Sequence, residues 1–400
     1  MNYRRIFSLL VFTATAAATH ASGVRIPHQD AAATARADAF VATADNPSAI
    51  FYNPAGITQL EGVQTRLGIY TVTLDVEHRP ESGGSYGNKE RAINIPTFYT
   101  TWSPPNEPIS LGFGIDAPFG LSLEYDDKAP SRNKNKKARL VVVAFAPVVA
   151  WQLTPTLSIG AGPTINYGQA QDIRGIAVPG DGFRFQGDGT TYGFNAGILW
   201  KPSPKHAFGL TYHSALDFDF SGHSQVTVKP FPNSNRKLRF PQEDANLSVH
   251  LPQFIVAGYS FRPTPQWNLE VNVDWTDWDS LNTAPLNQQL SPAGGLDFHY
   301  TSGFIYEAGV TRSFSNGFQA SAGYAFSENN APASTFTPGI PDGDRHVFSA
   351  GIGGRGAHWD WDLGYQYSFT NFRTINNNGP ADGKWRLHTN AVMLSVGYRF

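Results

Sequence analysis

The sequence predicts an all-β protein: a 14-stranded antiparallel transmembrane β-barrel with an N-terminal plug that contains short helices. Three observations carry this. Apolar and polar residues alternate with period 2 through most of the chain after residue 62. Short turns and longer polar loops succeed one another in strict rotation. The chain opens on an export signal and closes on an amphipathic segment ending in an aromatic residue.

The alternation is clearest at 266–276, QWNLEVNVDWT. Trp267, Leu269, Val271, Val273 and Trp275 share one face, and Asn268, Glu270, Asn272 and Asp274 share the other. WDWDLGYQYSF (359–369), residues 318–326 and residues 109–116 repeat the pattern. A soluble sandwich also alternates. Two features favour the membrane: aromatics gather at the ends of the apolar faces (Trp151, Trp200, Trp267, Trp275, Tyr367, Phe369), as in interfacial girdles, and the final strand AVMLSVGYRF sets Val392, Leu394, Val396, Tyr398 and Phe400 on one side. A terminal Phe400 on such a strand resembles the signal read by the outer-membrane barrel assembly machinery, which makes that machinery an expected partner.

Tight turns fall at 104–107, 154–156, 202–205, 263–265, 315–317 and 355–358. Between them lie longer polar loops near 78–90, 117–137, 172–184, 230–237, 280–297, 328–342 and 371–384. Six short and seven long connections join fourteen strands and put both ends of the barrel on the short-turn, periplasmic side. Only closure lets strands cross lipid, because an open edge strands N–H and C=O groups in hydrocarbon.

At the start, MNYRRIFSLLVFTATAAATHAS has a positive n-region, an apolar h-region and a small residue at Ala21. The apolar run is short of the ~20 residues a spanning helix needs. Residues 1–21 are therefore expected to be a signal peptide, 22–62 a plug and 63–400 the barrel. The chain has no cysteine, which excludes a disulfide scaffold and a thiolate metal site. Lys plus Arg number 30 and Asp plus Glu 32, so no nucleic-acid partner is indicated. The mean hydropathy of −0.29 suits a soluble β-protein, and equally a barrel in which every second residue faces lipid.

Within the plug, residues 46–57 read NPSAIFYNPAGI. Asn46 is placed to cap a helix starting at Pro47. Pro54 disfavours helix at Asn53, whose side chain is placed to bond the following backbone. Such a self-satisfied element suits the interior of a barrel, where irregular backbone must be buried in protein or line a cavity. Farther on, ARLVVVAFAPVVAW (138–151) is apolar on both faces. With Val141, Val143, Phe145, Val149 and Trp151 toward lipid, Leu140, Val142 and Val148 face the lumen and suit either a ligand pocket or packing against the plug.

In order along the chain, DNPSAIFYNPAGIT, INIPTFYTTW (93–102), APFGLSLEY (117–125), LPQFIVAGYSFRPTPQWNLEVNVDWTDW (251–278), IPDGDRHVFSAGIG (340–353) and the terminal strand resemble the FadL/TodX-type outer-membrane transporters of long-chain fatty acids and other hydrophobic compounds. The resemblance covers residues 23 to 400. It implies a hatch motif around Asn46, Pro47, Asn53, Pro54, Ala55 and Gly56, and passive uptake of a hydrophobic ligand in the outer membrane of a Gram-negative bacterium. It implies a ligand touched by the mature N-terminus, here Val24 and Ile26, and no cofactor. It also implies an inward kink of the third strand with lateral release; Gly112 and Gly114, flanking Phe113, are the residues expected to allow it.

A ligand carboxylate would need a basic partner, yet the inward strand residues are largely acidic: Asp116, Glu270, Asp274, Glu307, Asp360 and Asp362. The loop DKAPSRNKNKKAR offers Lys128, Arg132, Lys134, Lys136, Lys137 and Arg139 to lipopolysaccharide phosphates. Gly351, Gly353 and Gly356 match G-x-G-x-x-G but enter a strand-to-strand turn, so no dinucleotide site is expected. The histidines lack metal-ligand spacing, no G-x-S-x-G occurs, and no enzyme is expected. A polar-solute porin and a structural or adhesive barrel are the alternative functions.

Overall fold

The computed structural model describes residues 23–89, 91–230, 236–288 and 295–400; the expected signal peptide lies outside them. A 14-strand antiparallel barrel is formed. Its strands are β1 (Gly62–Arg79), β2 (Ile93–Ser103), β3 (Ile109–Asp116, continued by Gly120–Glu124), β4 (Lys137–Thr154), β5 (Leu157–Arg174) and β6 (Gly182–Ser203). They continue with β7 (His206–His213 and Leu216–Val228), β8 (Glu243–Leu251 and Phe254–Phe261), β9 (Trp267–Thr276) and β10 (Gly303–Ser313). The last four are β11 (Phe318–Ser327), β12 (Arg345–Arg355), β13 (Trp359–Thr370) and β14 (Gly383–Arg399). β1 pairs with β14 from Gln64↔Arg399 to Arg79↔Lys384, which closes the wall. No described helix is long and apolar enough to cross a membrane.

The period-2 pattern resolves into two faces. Leu67, Ile69, Val149, Ile198, Leu269, Val271, Leu363 and Leu394 stand exposed on the outside. Trp102, Trp151, Trp200, Trp267 and Trp359 mark the outer face close to the short turns, and Tyr167, Tyr192, Tyr306 and Tyr324 mark it farther along the strands. The third strand departs from expectation. It does not end at residue 116 but resumes at Gly120–Glu124, so the loop after it is correspondingly shorter.

The segment before β1 lies inside the barrel. It contains two short α-helices, α1 (Ala31–Thr34) and α2 (Ala49–Tyr52), followed by a 3₁₀ turn at Pro54–Gln59. Ile50, Phe51, Tyr52, Ile57 and Leu60 join one apolar cluster with wall residues such as Tyr99, Val148 and Phe254. Charged pairs anchor the plug as well. Arg66 of β1 is fully buried and reaches Asp30 of the plug at 2.5 Å and Asp360 and Asp362 of β13 at 2.5 and 2.6 Å. Arg36 of the plug pairs with Glu270 at 3.1 Å. Several inward carboxylates are thus partners for plug or wall cations.

Candidate functional site

The Asn-Pro stretch builds its own scaffold. Asn46 Oδ1 accepts from the backbone N–H of Ser48 at 2.9 Å and from its hydroxyl at 2.6 Å, while its amide donates to Asp30 at 3.0 Å. The helix starts at Ala49, not at Pro47 as expected: Pro47 and Ser48 form the turn that precedes it. Asn53 Oδ1 accepts from Ala55 N–H at 3.2 Å. Its amide donates to Val41 O at 2.9 Å and across to Ile198 O of β6 at 3.0 Å. Pro54 opens the 3₁₀ turn. At Gly56 a Cβ would stand 2.4 Å from the Ala44 carbonyl oxygen, so the bend tolerates no side chain.

The wall is interrupted above this plug. β2 pairs with β3 only from Phe98↔Ile115 to Trp102↔Leu111. The continuation Gly120–Glu124 pairs with β4 alone, and Ile93 to Thr97 pair with β1 alone. The strand breaks at Ala117-Pro118-Phe119. Gly112, Phe113 and Gly114, expected at the kink, instead lie in regular pairing on both sides. Their role is different: a Cβ at either glycine would stand 2.9 Å from Ile50, so both admit the α2 side chain against the wall.

The N-terminal arm occupies the inner side of this break. Ile26 N–H donates to Pro118 O at 2.8 Å, and Gly120 N–H donates to Val24 O at 2.9 Å. Arg25 is buried, paired with Asp274 at 2.6 Å and stacked 3.6 Å over the Phe254 ring. Together they leave a cavity of about 400 Å³, within the usual ligand-pocket range of ~300–1,000 Å³. Ile26, Tyr70, Ile95, Leu121, Leu140 and Val347 supply its apolar walls. Arg91, Arg139 and Arg345 supply positive charge, against Asp342. Arg345 Nε is buried without a hydrogen-bond partner.

Of the expected ligand residues, Ile26 and Leu140 meet at this cavity. Val24, Val142 and Val148 do not line it; they are buried in the apolar cluster. The reason is steric: α2 and the 3₁₀ turn fill the lumen beside the lower half of β4. Arg345 was missed because it opens β12 directly after a long loop, where alternation gives no facing. Pro96 was a usable signal, since a residue without N–H suits an unpaired edge.

The basic loop is partly self-engaged. Arg132 turns inward to Asp181 at 2.7 Å and Asp127 at 3.2 Å. Lys136 pairs with Asp127 at 2.8 Å, and Lys137 with Glu124 at 3.4 Å. Lys128, Lys134 and Arg139 remain exposed. Desolvation pulls the Asp181 carboxyl upward, but hydrogen bonds from Arg132 and from the N–H groups of Ile176, Val178 and Ala177 outweigh it and hold it down at about 2. A depressed carboxylate stabilises the fold above its unfolded value of ~3.9 and loses that contribution as pH falls through the folded value. Protection factors at 176–178, exchange rates divided into the intrinsic rate at each pH, are therefore expected to hold from neutral pH to about pH 4 and to fall toward pH 2. Protection factors that stay constant across that window contradict the assignment.

A closed barrel, a plug tied into it, and an apolar cavity opening at a break in the wall define a class: outer-membrane transport barrels. The family model described as "Outer membrane protein transport protein (OMPP1/FadL/TodX)" matches residues 12–400, and the chain belongs to that family. It is 25% identical to the long-chain fatty acid transport protein of Escherichia coli (strain K12), over 78% of this chain and 79% of that one. It is 22% identical to outer membrane protein P1 of Haemophilus influenzae, over 90% and 91%. Among solved structures, a Pseudomonas aeruginosa FadL homologue superposes with TM-score 0.82 at 19% identity, covering 95% of this chain and 100% of that one. A TodX deltaS2S3 mutant monoaromatic hydrocarbon channel gives 0.76 at 16%, covering 93% and 99%. These structural likenesses are likenesses of fold. The protein is an outer-membrane β-barrel of a transport family.

Proposed function

We propose that this chain carries long-chain fatty acids passively across the outer membrane, without enzymatic chemistry. The observation that carries the reading is the cavity between Ile26 and Leu140, walled by the apolar side chains of Tyr70, Ile95, Leu121 and Val347 and lined also by Arg91, Arg139 and Arg345. Each buried CH₂ of an acyl chain contributes ~0.8 kcal/mol, and a guanidinium suits a carboxylate head. Four of the six inward carboxylates that argued against an anionic ligand are engaged: Asp274 by Arg25, Glu270 by Arg36, and Asp360 and Asp362 by Arg66. Residues 1–21 act as a signal peptide, and 22–62 form the hatch. Phe400 serves recognition by the assembly machinery. The filled lumen favours this reading over a polar-solute porin.

The test is uptake of a labelled long-chain fatty acid and of an aromatic hydrocarbon by cells whose only such transporter is this protein. R345A is expected to lower fatty-acid uptake about tenfold, the scale of one charge-assisted hydrogen bond, and to leave the uncharged compound unaffected. Equal losses for both, or none, would overturn the head-group assignment. G120F addresses the path itself. A Cβ there already stands 2.8 Å from Ile26 Cδ1, so a phenyl ring fills the mouth between arm and wall. Uptake of both compounds is expected to drop severalfold, while the barrel keeps its heat-modifiable mobility on gels.

A further inference from the structure

The outer surface carries a polar rim beside the wall break whose residues stand in register. Ser122 pairs with Arg139, Arg139 with Gln171, Gln171 with Gln186, and Gln186 with His223. One step farther from the turns, Glu124 pairs with Lys137, Lys137 with Ile173, Ile173 with Arg184, and Arg184 with Gln225. Side chains of one row share a face, ~4.8 Å apart across strands, and successive rows lie ~6.7 Å apart along them. The inner neighbours Phe183, Phe185, Phe218 and Phe220 are buried toward the lumen, so these rows point outward. Immediately toward the turns the same face becomes apolar, with Val143 opposite Tyr167 and Ile165 opposite Tyr192. The rim therefore sits where lipid tails give way to head groups.

Two depressions mark it. One of about 420 Å³ lies among Gln169, Gln171, Arg184, Gln186 and Arg139. The other, about 220 Å³, lies among Lys89, Arg91, Lys137, Arg139 and Glu124. Glu124 is shared by Lys89 at 2.8 Å and by Arg91 and Lys137 at 3.4 Å each. Arg139, exposed between the depressions, makes no ion pair among the described residues, and Arg184 bonds only the Gln186 amide oxygen. The opposing carboxylates are Glu124, Asp188 and Asp244, and Asp244 is taken by His223 at 3.2 Å. Among the described residues cations are in excess, and amide groups, both donors and acceptors, lie between them.

We propose that this rim binds the phosphorylated sugar head group of an outer-leaflet glycolipid. Arg139 and Arg184 take the phosphate, the Gln169–Gln171–Gln186 amides take sugar hydroxyls, and the acyl chains run down the apolar face at Val143 and Tyr167. Guanidinium forks match phosphate oxygens bidentately, and mixed amide donors and acceptors match hydroxyls. The site shares Arg139 with the basic stretch 128–139 and with the mouth of the transport cavity, but Arg184 and the Gln169, Gln171 and Gln186 amides lie outside both. It rests on the outer-membrane location and not on the identity of the cargo.

Native mass spectrometry of the intact detergent-solubilised protein tests this with three lipids: a bis-phosphorylated acyl-diglucosamine, its dephosphorylated form and phosphatidylglycerol. The bis-phosphorylated lipid is expected to bind at least about tenfold more tightly than either other lipid, and R139Q/R184Q to remove that preference. K128Q/K134Q is the loop control and should keep it. Both side-chain pairs face outward, and heat-modifiable gel mobility verifies assembly before binding is read. The proposal is overturned if dephosphorylated lipid or phosphatidylglycerol binds as well, if the loop control loses as much, or if inorganic phosphate at equal concentration displaces the lipid. Fatty-acid uptake of R345A reports on the cargo reading alone, since Arg345 lines the cavity and not the rim, and lipid binding of R184Q reports on the rim alone.

Discussion

Replacing Arg66 by Met is expected to unseat the plug and turn a closed barrel into an ion-conducting one. The guanidinium is 1% exposed and, among the described residues, is the only cation paired with Asp30. Asp362 keeps Arg355 at 2.9 Å and Asp360 keeps Arg399 at 3.6 Å, so the wall side retains partners. Asp30 keeps only the Asn46 amide and the Ala32 N–H. Removing one member of a buried ion pair typically costs ~3–5 kcal/mol, because the survivor stays desolvated and unpaired. That cost falls on docking of residues 30–46, not on the strand pairing that closes the barrel. Planar-bilayer recordings should show steady conductance where the parent protein is closed, and the segment before β1 should become protease-sensitive. D30N/R66M removes both charges and should restore much of the closure. A closed, protease-resistant R66M would sink the idea.

How much of this was legible before the structure depends on which physical rule each residue obeys. Barrel strands obey one rule, alternation, and their number and facing follow from it; the outward Trp267–Val271–Val273 face and the inward Asp274–Glu270 face emerge as read. The break in β3 obeys another. APFG contains a proline, yet a strand resumes at Gly120, and pairing partners 13 to 21 residues away, from Glu124↔Lys137 to Gly120↔Val141, decide that it is one. The site was half legible for the same reason. Ile26 and Leu140 come together, whereas Val142 and Val148, which suited either a pocket or the plug, pack against the plug. Periodicity says which side chains enter the lumen but not what occupies it. The inward acids are similar: their sign was visible, and the pairing of Asp274, Glu270, Asp360 and Asp362 with Arg25, Arg36 and Arg66 spans more than 200 residues in every case.

Glycine carries the remaining information, and it yields the second large effect. Read in a strand, a glycine suggests a bend. Here several inward glycines instead mark where plug backbone lies directly on the wall. A Cβ at Gly323 would stand 2.3 Å from the Arg36 carbonyl carbon and 2.6 Å from Ala37 N. At Gly160 it would stand 2.6 Å from the Pro54 carbonyl carbon. These neighbours are backbone, tethered on both sides, and cannot swing aside as a side-chain tip would. G323L is therefore expected to exceed the usual ~1–3 kcal/mol of overpacking and to expel the Arg36–Ala37 segment. A322L, one residue away but exposed toward lipid, should be silent. Both proteins should assemble, since the β11 pairings to β10 and β12 leave either side chain free of the ladder. In bilayers G323L should conduct and A322L should not. Equal behaviour of the two would mean that the plug is not seated by close backbone contact, and that the strand glycines serve only the twist of the wall.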